Sequence, residues 1–381
     1  MNCDRKVIVS THDWLYPIYG GGGLRTLKVA EEFKRRGYNV VILAPSKINK
    51  IKEIPVYTLP PPTKKRSQVL SAIKFNIRSL RSIIKVSQDA DLIFVHNTIA
   101  AVAFAILNKF LRKRFILDIT DIHAEYLWVG NISIIEKLLR FILLKIEYNI
   151  IKSADTVIVV TEIMKQRCIE KGIEEDKIRV ICDGAEVDKF STQKSNGANF
   201  NLIHLGIVDK QHGVPLLIRA MRIVLERFPQ VHLYIVGDGR DLSDVKSLAK
   251  KLQIYQNCIF TGHIEYTKVK EILGRTGIGI IPRPNNLANN LVVTLKLLEY
   301  WASGTAVVAS RLNGISEIAE DEKDILFFEA DNYRDIAAKI EFLLSNSEEL
   351  ARLQRNGREK VRQFDWEKII PEIVNVSLKL K

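Results

Sequence analysis

The sequence predicts an α/β protein built from two Rossmann-like, doubly wound domains. Its 381 residues are enough for two domains that each bury a core of their own. In both halves of the chain, short β-branched runs alternate with amphipathic segments of helical period, as in parallel βαβ units. Residues 191–199 (STQKSNGAN) contain no apolar run and predict a linker. We therefore expect a first domain over residues 1–190, a second over 200–365 and a last helix over 366–381.

Composition and cysteine usage indicate an ordinary globular protein. Hydrophobic residues make up 47% of the chain and charged residues 27%. The start, MNCDRKVIVS, has charges and only a short apolar run, so we expect no signal peptide. No run of about 18 apolar residues predicts a spanning helix. Four cysteines without a C-x-x-C pair predict buried thiols and a cytoplasmic protein: Cys3, Cys168, Cys182 and Cys258.

The formal net charge of +13 predicts an anionic partner. Residues 54–88 contain no acidic residue, and part of this segment reads as an amphipathic helix. Its apolar stripe is Val69, Ile73, Ile77, Leu80 and Ile84, and its basic stripe is Lys74, Arg78, Arg81 and Lys85. One interpretation places the apolar stripe in the core; the other lays residues 64–86 on an anionic membrane surface. Phe75 is the only aromatic residue in this helical stretch, so nucleic-acid binding by base stacking is not expected.

Two features of the first half lie where open α/β sheets bind ligands. The strand Lys6–Ser10 is followed by a glycine run, Gly20–Gly23, and a helix over Leu24–Arg36. The run is not a G-x-G-x-x-G motif, and a flexible turn is the alternative. After the strand Arg114–Asp118, the segment DITDIHAE places Asp121, His123 and Glu125 together, although a lone histidine is more often structural. The strongly apolar helical segment Ile134–Ile151 adds to the possible membrane contact.

The segment from Asn289 to Ser310 predicts a loop, a helix and a buried strand. Val292, Leu295 and Leu298 recur at helical spacing, and Gly304 ends the helix. Glu299 near the C-terminal end gains nothing from the helix dipole, so a pair of vicinal sugar hydroxyls is a fitting partner. The helix start near residues 291–294 offers free N–H groups to a diphosphate. A solvated Lys296 and Glu299 on a surface helix is the alternative.

The pattern K-L-x-E-Y-x-A-x-G-x-x-V-V-A-S in this segment resembles the donor-binding segment of family 4 glycosyltransferases, which have the GT-B fold. The resemblance continues in residues 177–190 (KIRVICDGAEVDKF) and in the last helix, which in the family packs back on the first domain. It implies two domains facing a central cleft and closing around the linker. It also implies transfer of a hexose-type group from a UDP- or GDP-sugar to a hydroxyl, with retention of configuration. The acceptor class is a lipid-linked or growing glycan, at the inner face of the cell membrane.

The resemblance also implies a set of site residues and no cofactor or metal. Asp89 and Asp91 form a nominal D-x-D motif, but it precedes a strand and we treat it as coincidence. His123, with Asp121, would contact the transferred sugar, and Glu299 the ribose. The remaining nucleotide-sugar-binding candidates are Gly22, Gly23, Gly206, Lys210, His212, Asn290, Val293, Thr294 and Lys296.

Three positions depart from the family pattern. Ile207 replaces the usual arginine and His212 the usual lysine, so Lys210 is expected to supply charge to the diphosphate. Leu291 replaces the first glutamate, for which Asn289 or Asn290 would substitute. These departures leave two rival functions open, a non-catalytic GT-B partner protein and a nucleotide-sugar epimerase.

Overall fold

The computed structural model describes residues 5–18, 20–61, 68–127, 133–190 and 200–379. The chain forms two compact units. One unit contains the residues up to Asp183 together with those from Glu367 onward, and the other is Gly184–Trp366.

The first unit contains an eight-stranded sheet that is parallel except at one edge. Its strands are β1 (Lys6–Thr11), β2 (Asn39–Ala44), β3 (Lys50–Ile51), β4 (Ile54–Thr58), β5 (Leu92–His96), β6 (Arg114–Ile119), β7 (Thr156–Val159) and β8 (Ile178–Val180). They lie in the order β3-β4-β2-β1-β5-β6-β7-β8, with β3 antiparallel to β4. From β1 the chain adds β2 and β4 toward one edge of the sheet, and it then adds β5 to β8 toward the other edge, so the switch point lies between β1 and β5. Open sheets bind ligands at the carboxyl ends of strands beside such a switch.

Helices cover both faces of this sheet. They are α1 (Gly21–Arg35), α2 (Gln68–Ser87), α3 (Thr98–Leu111), α4 (Ile134–Lys152) and α5 (Glu162–Glu170). From β4 through β5, β6 and β7 to β8 the chain moves in one direction across the sheet, so right-handed crossovers place α2, α3, α4 and α5 in one layer. The connection from β1 to β2 runs the other way and places α1 on the opposite face.

The second unit contains a six-stranded sheet whose strand pairs are all parallel in the described residues. Its strands are β9 (Leu202–Leu205), β10 (Leu233–Val236), β11 (Cys258–Gly262), β12 (Ile278–Ile281), β13 (Ala306–Ser310) and β14 (Leu326–Phe328). The order is β11-β10-β9-β12-β13-β14, so the switch point lies between β9 and β12. Apart from the edge strand β11, which is half-buried after Cys258, and Tyr234 in β10, the strand residues are buried, as is typical of a parallel sheet covered on both faces. The two sheets confirm the predicted α/β class.

The helices of the second half complete the structure. They are α6 (Val214–Arg227), α7 (Leu242–Lys251), α8 (Tyr266–Leu273), α9 (Leu287–Asn290), α10 (Leu295–Ala302), α11 (Asn313–Ser316), α12 (Tyr333–Ser345), α13 (Ser347–Lys360) and α14 (Trp366–Leu378). In the described parts of the two units, no helix combines the length and apolar character needed to cross a membrane.

The division between the units lies at Asp183, earlier in the chain than the predicted end at residue 190. The Ala185 N–H donates to the Phe364 carbonyl at 2.9 Å, and the Trp366 N–H donates to the Ala185 carbonyl at 3.1 Å. These bonds tie the chain after Asp183 to the end of the second unit. The predicted linker, residues 191–199, lies outside the described residues.

The last helix, α14, belongs to the first unit from Glu367 onward. The Arg36 guanidinium, just after α1, donates to Asn375 Oδ1 at 2.6 Å and to the Pro371 carbonyl at 3.1 Å. Two charge-assisted bonds from Arg36, one to the Asn375 side chain and one to the Pro371 carbonyl, therefore connect α14 to the residue that follows α1.

Candidate functional site

In the second unit, Gly206 leaves space for a lysine ammonium at the carboxyl end of β9. Its φ of +110° is a backbone conformation that favours glycine. A β-carbon at this position would lie 3.3 Å from Nζ of Lys296. The first strand of the sheet and helix α10 therefore meet closely at the switch point, where α/β proteins bind ligands.

The Lys296 ammonium is buried and has no hydrogen-bond acceptor among the described residues. The residue is 7% exposed, and Nζ itself is inaccessible to water. Burial, followed by the charge of Arg283, lowers the pKa of Lys296 to about 7, while Glu299 and Asp209 act in the opposite direction. A buried charge without a partner is costly, so an anion that replaces the lost water stabilises it. The position is suited to a phosphate group.

Aromatic residues of α10 fix the position of Lys296. The Tyr300 hydroxyl accepts the Leu205 N–H at 2.9 Å and donates to the Ile203 carbonyl at 3.3 Å, which ties α10 to β9. Trp301 Nε1 donates to the Asp324 carbonyl at 2.9 Å. These buried bonds set the rotation of the helix about its axis. The same rotation directs Lys296 toward Gly206.

Glu299 is also buried, at 6% exposure, three residues after Lys296 on α10. The alternative of a solvated Lys and Glu on a surface helix is therefore wrong. Neither charge lies on a solvent face, since the whole of α10 from Lys296 to Ala302 is buried.

Helix α10 begins later than its periodicity predicts. It starts at Leu295, with Thr294 as the N-cap residue, and Val292 lies in the preceding loop. The side chains of Leu291, Val292 and Val293 are buried, so packing rather than helical period explains their apolar pattern. The Thr294 side chain makes no capping bond. The first N–H groups of a helix have no acceptor within it, which leaves them suited to an anion.

Lys210 and His212 lie in a 3-10 turn, Lys210–His212, that follows β9. The Lys210 side chain is exposed, and its backbone N–H donates to Asp241 at 2.9 Å. His212 Nδ1 lies 2.7 Å from Asp209 Oδ1. Burial lowers the pKa of His212 to about 4 although Asp209 raises it, so the imidazole is neutral at pH 7. His212 therefore adds no fixed positive charge, and the cations that act on this turn are the buried Lys296 and the half-buried Arg283.

The asparagines before α10 form bonds within the protein. Asn289 donates to the carbonyls of Gln211 (3.2 Å) and Pro284 (3.0 Å) and accepts from Arg283 at 3.2 Å. Asn290 donates to Asn285 and Asn286 and accepts the Asn313 N–H at 2.9 Å. Both amides therefore hold the loop in place, and their predicted substitution for the missing glutamate remains a prediction.

In the first unit, a buried ion pair lies at the carboxyl ends of neighbouring strands. Arg25 Nε donates to Asp118 Oδ2 at 2.8 Å and Nη2 donates to Oδ1 at 2.7 Å, with both side chains fully buried. Arg25 also donates to Asp183 Oδ1 at 3.1 Å. Although burial alone would raise it, Arg25 and His96 hold the pKa of Asp118 far below its usual value. Asp118 is therefore a fixed negative charge that anchors α1 to β6.

Asp118 also orients the imidazole of His96, the last residue of β5. His96 Nδ1 lies 2.9 Å from Asp118 Oδ2, and Nε2 lies 3.1 Å from the Asn97 amide nitrogen. Since an amide nitrogen donates, Nε2 accepts and Nδ1–H donates to Asp118. On the other side, Nε2 lies 3.9 Å from the carboxylate of Asp13, which is partly exposed.

The glycine run forms the first turn of α1, which begins at Gly21 rather than at the predicted Leu24. A β-carbon at Gly22 would lie 2.8 Å from His96 Nε2 and would collide with the Asp13 carboxylate. At Gly23 it would lie 2.5 Å from the Trp14 carbonyl oxygen. Both glycines are therefore required by close approach, and the alternative of a flexible turn is wrong.

His123 lies in the same group of polar side chains. Its Nδ1 is 3.3 Å from Thr98 Oγ1 and 3.8 Å from Glu147 Oε1, and its ring meets that of His12 edge-on at 5.4 Å. Burial would lower the pKa of His123, but Glu147 raises it above the usual value. Asp121 accepts a bond from the Tyr126 hydroxyl at 3.0 Å. Glu147 therefore favours the protonated form of His123.

Sequence reasoning missed several members of this group and gave one residue the wrong emphasis. Glu125 is buried and binds Arg140 and Arg167, so it stabilises the fold. Strand pairing brings His96 opposite both Thr11 and Asp118. The sequence could have indicated His96, because it is the last residue of a predicted parallel strand, as a ligand-binding residue of such a sheet often is. Within the described residues, no cluster of three or more metal-binding side chains is arranged to hold an ion.

Two family models match the chain and together span most of it. The model for Glycosyltransferase Family 4 matches residues 19–189, and the model for Glycosyl transferases group 1 matches residues 186–360. The chain therefore belongs to the group 1 and family 4 glycosyltransferases, and it is a transferase.

Individual relatives agree with this assignment. The chain is 26% identical to the uncharacterized glycosyltransferase MJ1607 of Methanocaldococcus jannaschii over 58% of this chain and 59% of that protein. It is 24% identical to the uncharacterized glycosyltransferase MJ1178 of the same organism over 93% of both chains. The crystal structure of Anabaena HepE in complex with UDP and glucose matches with a TM-score of 0.77 at 17% identity, covering 99% of this chain and 100% of that one. This likeness confirms the GT-B fold.

Proposed function

We propose that this glycosyltransferase moves a hexose-type sugar from a UDP- or GDP-sugar to a hydroxyl of a lipid-linked or growing glycan, with retention of configuration. The observation that most directly supports a nucleotide-sugar donor is the unpaired, buried ammonium of Lys296 beside Gly206. The presence of UDP and glucose in the HepE structure supports UDP as the first donor to test.

Lys296 would bind the donor diphosphate. During transfer, negative charge develops on the departing nucleoside diphosphate, and a fixed cation in a water-poor site stabilises it strongly. The family's arginine is Ile207 in this chain, whose side chain is half-exposed and has no charge. Lys296 reaches the end of the same strand from α10 and would replace that arginine. The free N–H groups at the start of α10 and the exposed Lys210 would complete the phosphate site.

Glu299 would accept hydrogen bonds from the two ribose hydroxyls. It lies on the same helix as Lys296, one helical turn later, so one rigid element would hold both the diphosphate and the ribose. A carboxylate accepts two parallel bonds from vicinal donors. This division of roles explains why two charged residues are buried on a short helix.

The first unit would supply groups for the transferred sugar and the acceptor. His123, whose pKa Glu147 raises against the effect of burial, would donate to a sugar hydroxyl, and Asp121 would accept from one. Asp13, whose carboxylate lies close to His96 and Gly22, is a further candidate for contact with a hydroxyl of the sugar or the acceptor. In this mechanism the departing phosphate assists the incoming hydroxyl, so the protein acts mainly by positioning. We propose transfer without a metal ion.

Calorimetric titration with UDP, GDP, ADP and their sugar conjugates tests this proposal. Selective micromolar binding of one nucleotide would support it and identify the donor class. Absence of binding to every nucleotide would contradict the proposal and favour a partner protein without catalytic activity. The loss of the family's arginine at Ile207 and of its first glutamate at Leu291 would then explain why no donor binds. Conversion of the donor sugar without any acceptor would instead indicate an epimerase.

A further inference from the structure

Helix α2 directs its apolar side chains away from the protein. Ile77 is 68% exposed, and Leu70, Ile73, Leu80 and Ile84 are exposed as well. The core-facing interpretation of this stripe is therefore wrong. Residues 62–67, with the predicted basic cluster at 64–66, lie outside the described residues, as does the Val69 side chain.

Hydrogen bonds fix this orientation of α2. The buried side of the helix contains polar residues, Ser71, Asn76, Ser79 and Ser87, among its apolar ones. The Asn76 amide donates to the Ile99 carbonyl at 2.8 Å and accepts the Ala103 N–H at 3.1 Å, both on α3. A helix rotated to bury its apolar stripe would lose these buried bonds and expose Phe75 and Ile83.

Helices α3 and α4 extend this apolar surface. Because α2, α3 and α4 lie in one layer on the sheet, their outer sides face the same way. Phe110 at the end of α3 is 82% exposed. Helix α4 exposes Ile134, Ile135, Leu138, Leu139, Phe141, Ile142 and Ile146. We call this surface, formed by the exposed side chains of α2, α3 and α4, the α2–α4 face.

The charges on the α2–α4 face are mainly positive. On α2, Lys74, Arg78, Arg81 and Lys85 are exposed between the apolar side chains, and residues 54–88 contain no acid. Lys109 on α3 and Lys137 and Lys145 on α4 are also exposed. In the part of the chain that the structure describes, the salt bridges include none of these seven basic residues. An apolar surface with interspersed cations matches the boundary between anionic headgroups and acyl chains.

We propose that the α2–α4 face binds the surface of an anionic phospholipid bilayer. The apolar side chains of α2 and α4 enter the boundary region, and the basic residues lie against lipid phosphates. Symmetric contact between two copies of α2 would bring like charges together, which disfavours a dimer through this helix. The inference does not depend on the proposed donor, since its residues are separate from those around Lys296.

Vesicle flotation of the full chain tests this inference. We expect co-flotation with vesicles of phosphatidylcholine mixed with phosphatidylglycerol and little with pure phosphatidylcholine. Binding should weaken at about 1 M salt, where the screening length falls from about 10 Å to about 3 Å. Each basic residue near an anionic surface strengthens binding roughly fivefold, so losing four weakens it roughly 600-fold. The variant is Lys74→Gln, Arg78→Gln, Arg81→Gln and Lys85→Gln combined.

A control variant with the same charge loss in the second unit should bind like the wild type. It combines substitutions of exposed residues: Arg219→Gln, Arg222→Gln, Lys250→Gln and Lys251→Gln. Equal weakening by both variants would mean that only net charge matters and would overturn the assignment to this face.

A second set of substitutions tests the apolar part of the face. Ile134→Ser, Leu138→Ser and Phe141→Ser alter exposed side chains of α4, so the fold should persist, which circular dichroism checks. Their combination should reduce flotation at least tenfold. Unchanged flotation, equal binding to neutral vesicles or no binding to anionic vesicles would each overturn the proposal. Analytical sedimentation without vesicles gives a further test. If the wild type sediments as a dimer and these substitutions dissociate it, a second copy of the chain covers the face and the proposal is overturned.

Discussion

Replacing Lys296 by methionine removes the buried ammonium and keeps an unbranched side chain of similar length. In the folded protein the pKa of Lys296 is lowered to about 7, mainly by burial. An unfolded lysine has a pKa of about 10.4, and each unit of difference corresponds to about 1.4 kcal/mol. The charge therefore costs the ligand-free protein on the order of a few kcal/mol at pH 7. We expect the Lys296→Met variant to unfold at higher urea concentration than the wild type.

The pH dependence of this effect has a defined sign. Because the folded pKa is lower than the unfolded one, the unfolded chain binds more protons between about pH 7 and pH 10. The stability of the ligand-free wild type should rise with pH through that range, and Lys296→Met should lack this rise. Urea unfolding of both proteins between about pH 6 and pH 10 measures it.

Donor affinity should change in the opposite direction from stability. A hydrogen bond to a charged group contributes about 1.5–3 kcal/mol, which corresponds to roughly 10- to 100-fold in affinity. Calorimetry with a UDP- or GDP-sugar should therefore show weaker binding to the more stable variant. Wild-type affinity should fall above about pH 7 as the free ammonium loses its proton, until the roughly 10- to 100-fold contribution of the ammonium is lost.

Lys296→Arg is the matched control, because a guanidinium stays charged throughout this pH range. Its donor affinity should not vary with pH. Unchanged donor affinity in Lys296→Met would refute the diphosphate role. If Lys296→Met instead lowers both the free energy of unfolding and the donor affinity, Lys296 is a structural residue.

Three further predictions concern the rest of the two sites. Glu299→Gln should weaken binding of the donor about tenfold but leave binding of a 2′,3′-dideoxyribose analogue unchanged, and equal weakening of both ligands would exclude the ribose role. Gly206→Ala should lower the free energy of unfolding by about 1 kcal/mol or more, because its positive φ strains any side chain, and should also weaken donor binding; unchanged urea midpoints would contradict this. Asp118→Asn should lower the free energy of unfolding by about 3 kcal/mol, because it leaves the buried Arg25 with Asp183 as its remaining carboxylate partner; a loss below about 1 kcal/mol in urea would contradict it.

The local pattern of the sequence was sufficient for the fold class. Short apolar β-branched runs such as Lys6–Thr11 and Ala306–Ser310 form parallel strands because both faces of such a sheet are buried. Helical period predicted α1 and α10, but not where they begin. Helix α1 already includes Gly21–Gly23, where the chain passes close to Trp14 and Asp13, and α10 begins only after the buried residues 291–293.

The sequence also placed Lys296 and Glu299 on one helix, and it identified the glycine run and His123 as ligand-side candidates. Periodicity shows which residues share a face of a helix, but not what lies against that face. The burial of Lys296 depends on Gly206 ending another strand, and the orientation of His96 depends on Asp118 across the sheet. The outward rotation of α2 depends on hydrogen bonds from Asn76 to α3. These contacts join residues far apart in the chain, so only the tertiary structure determines them.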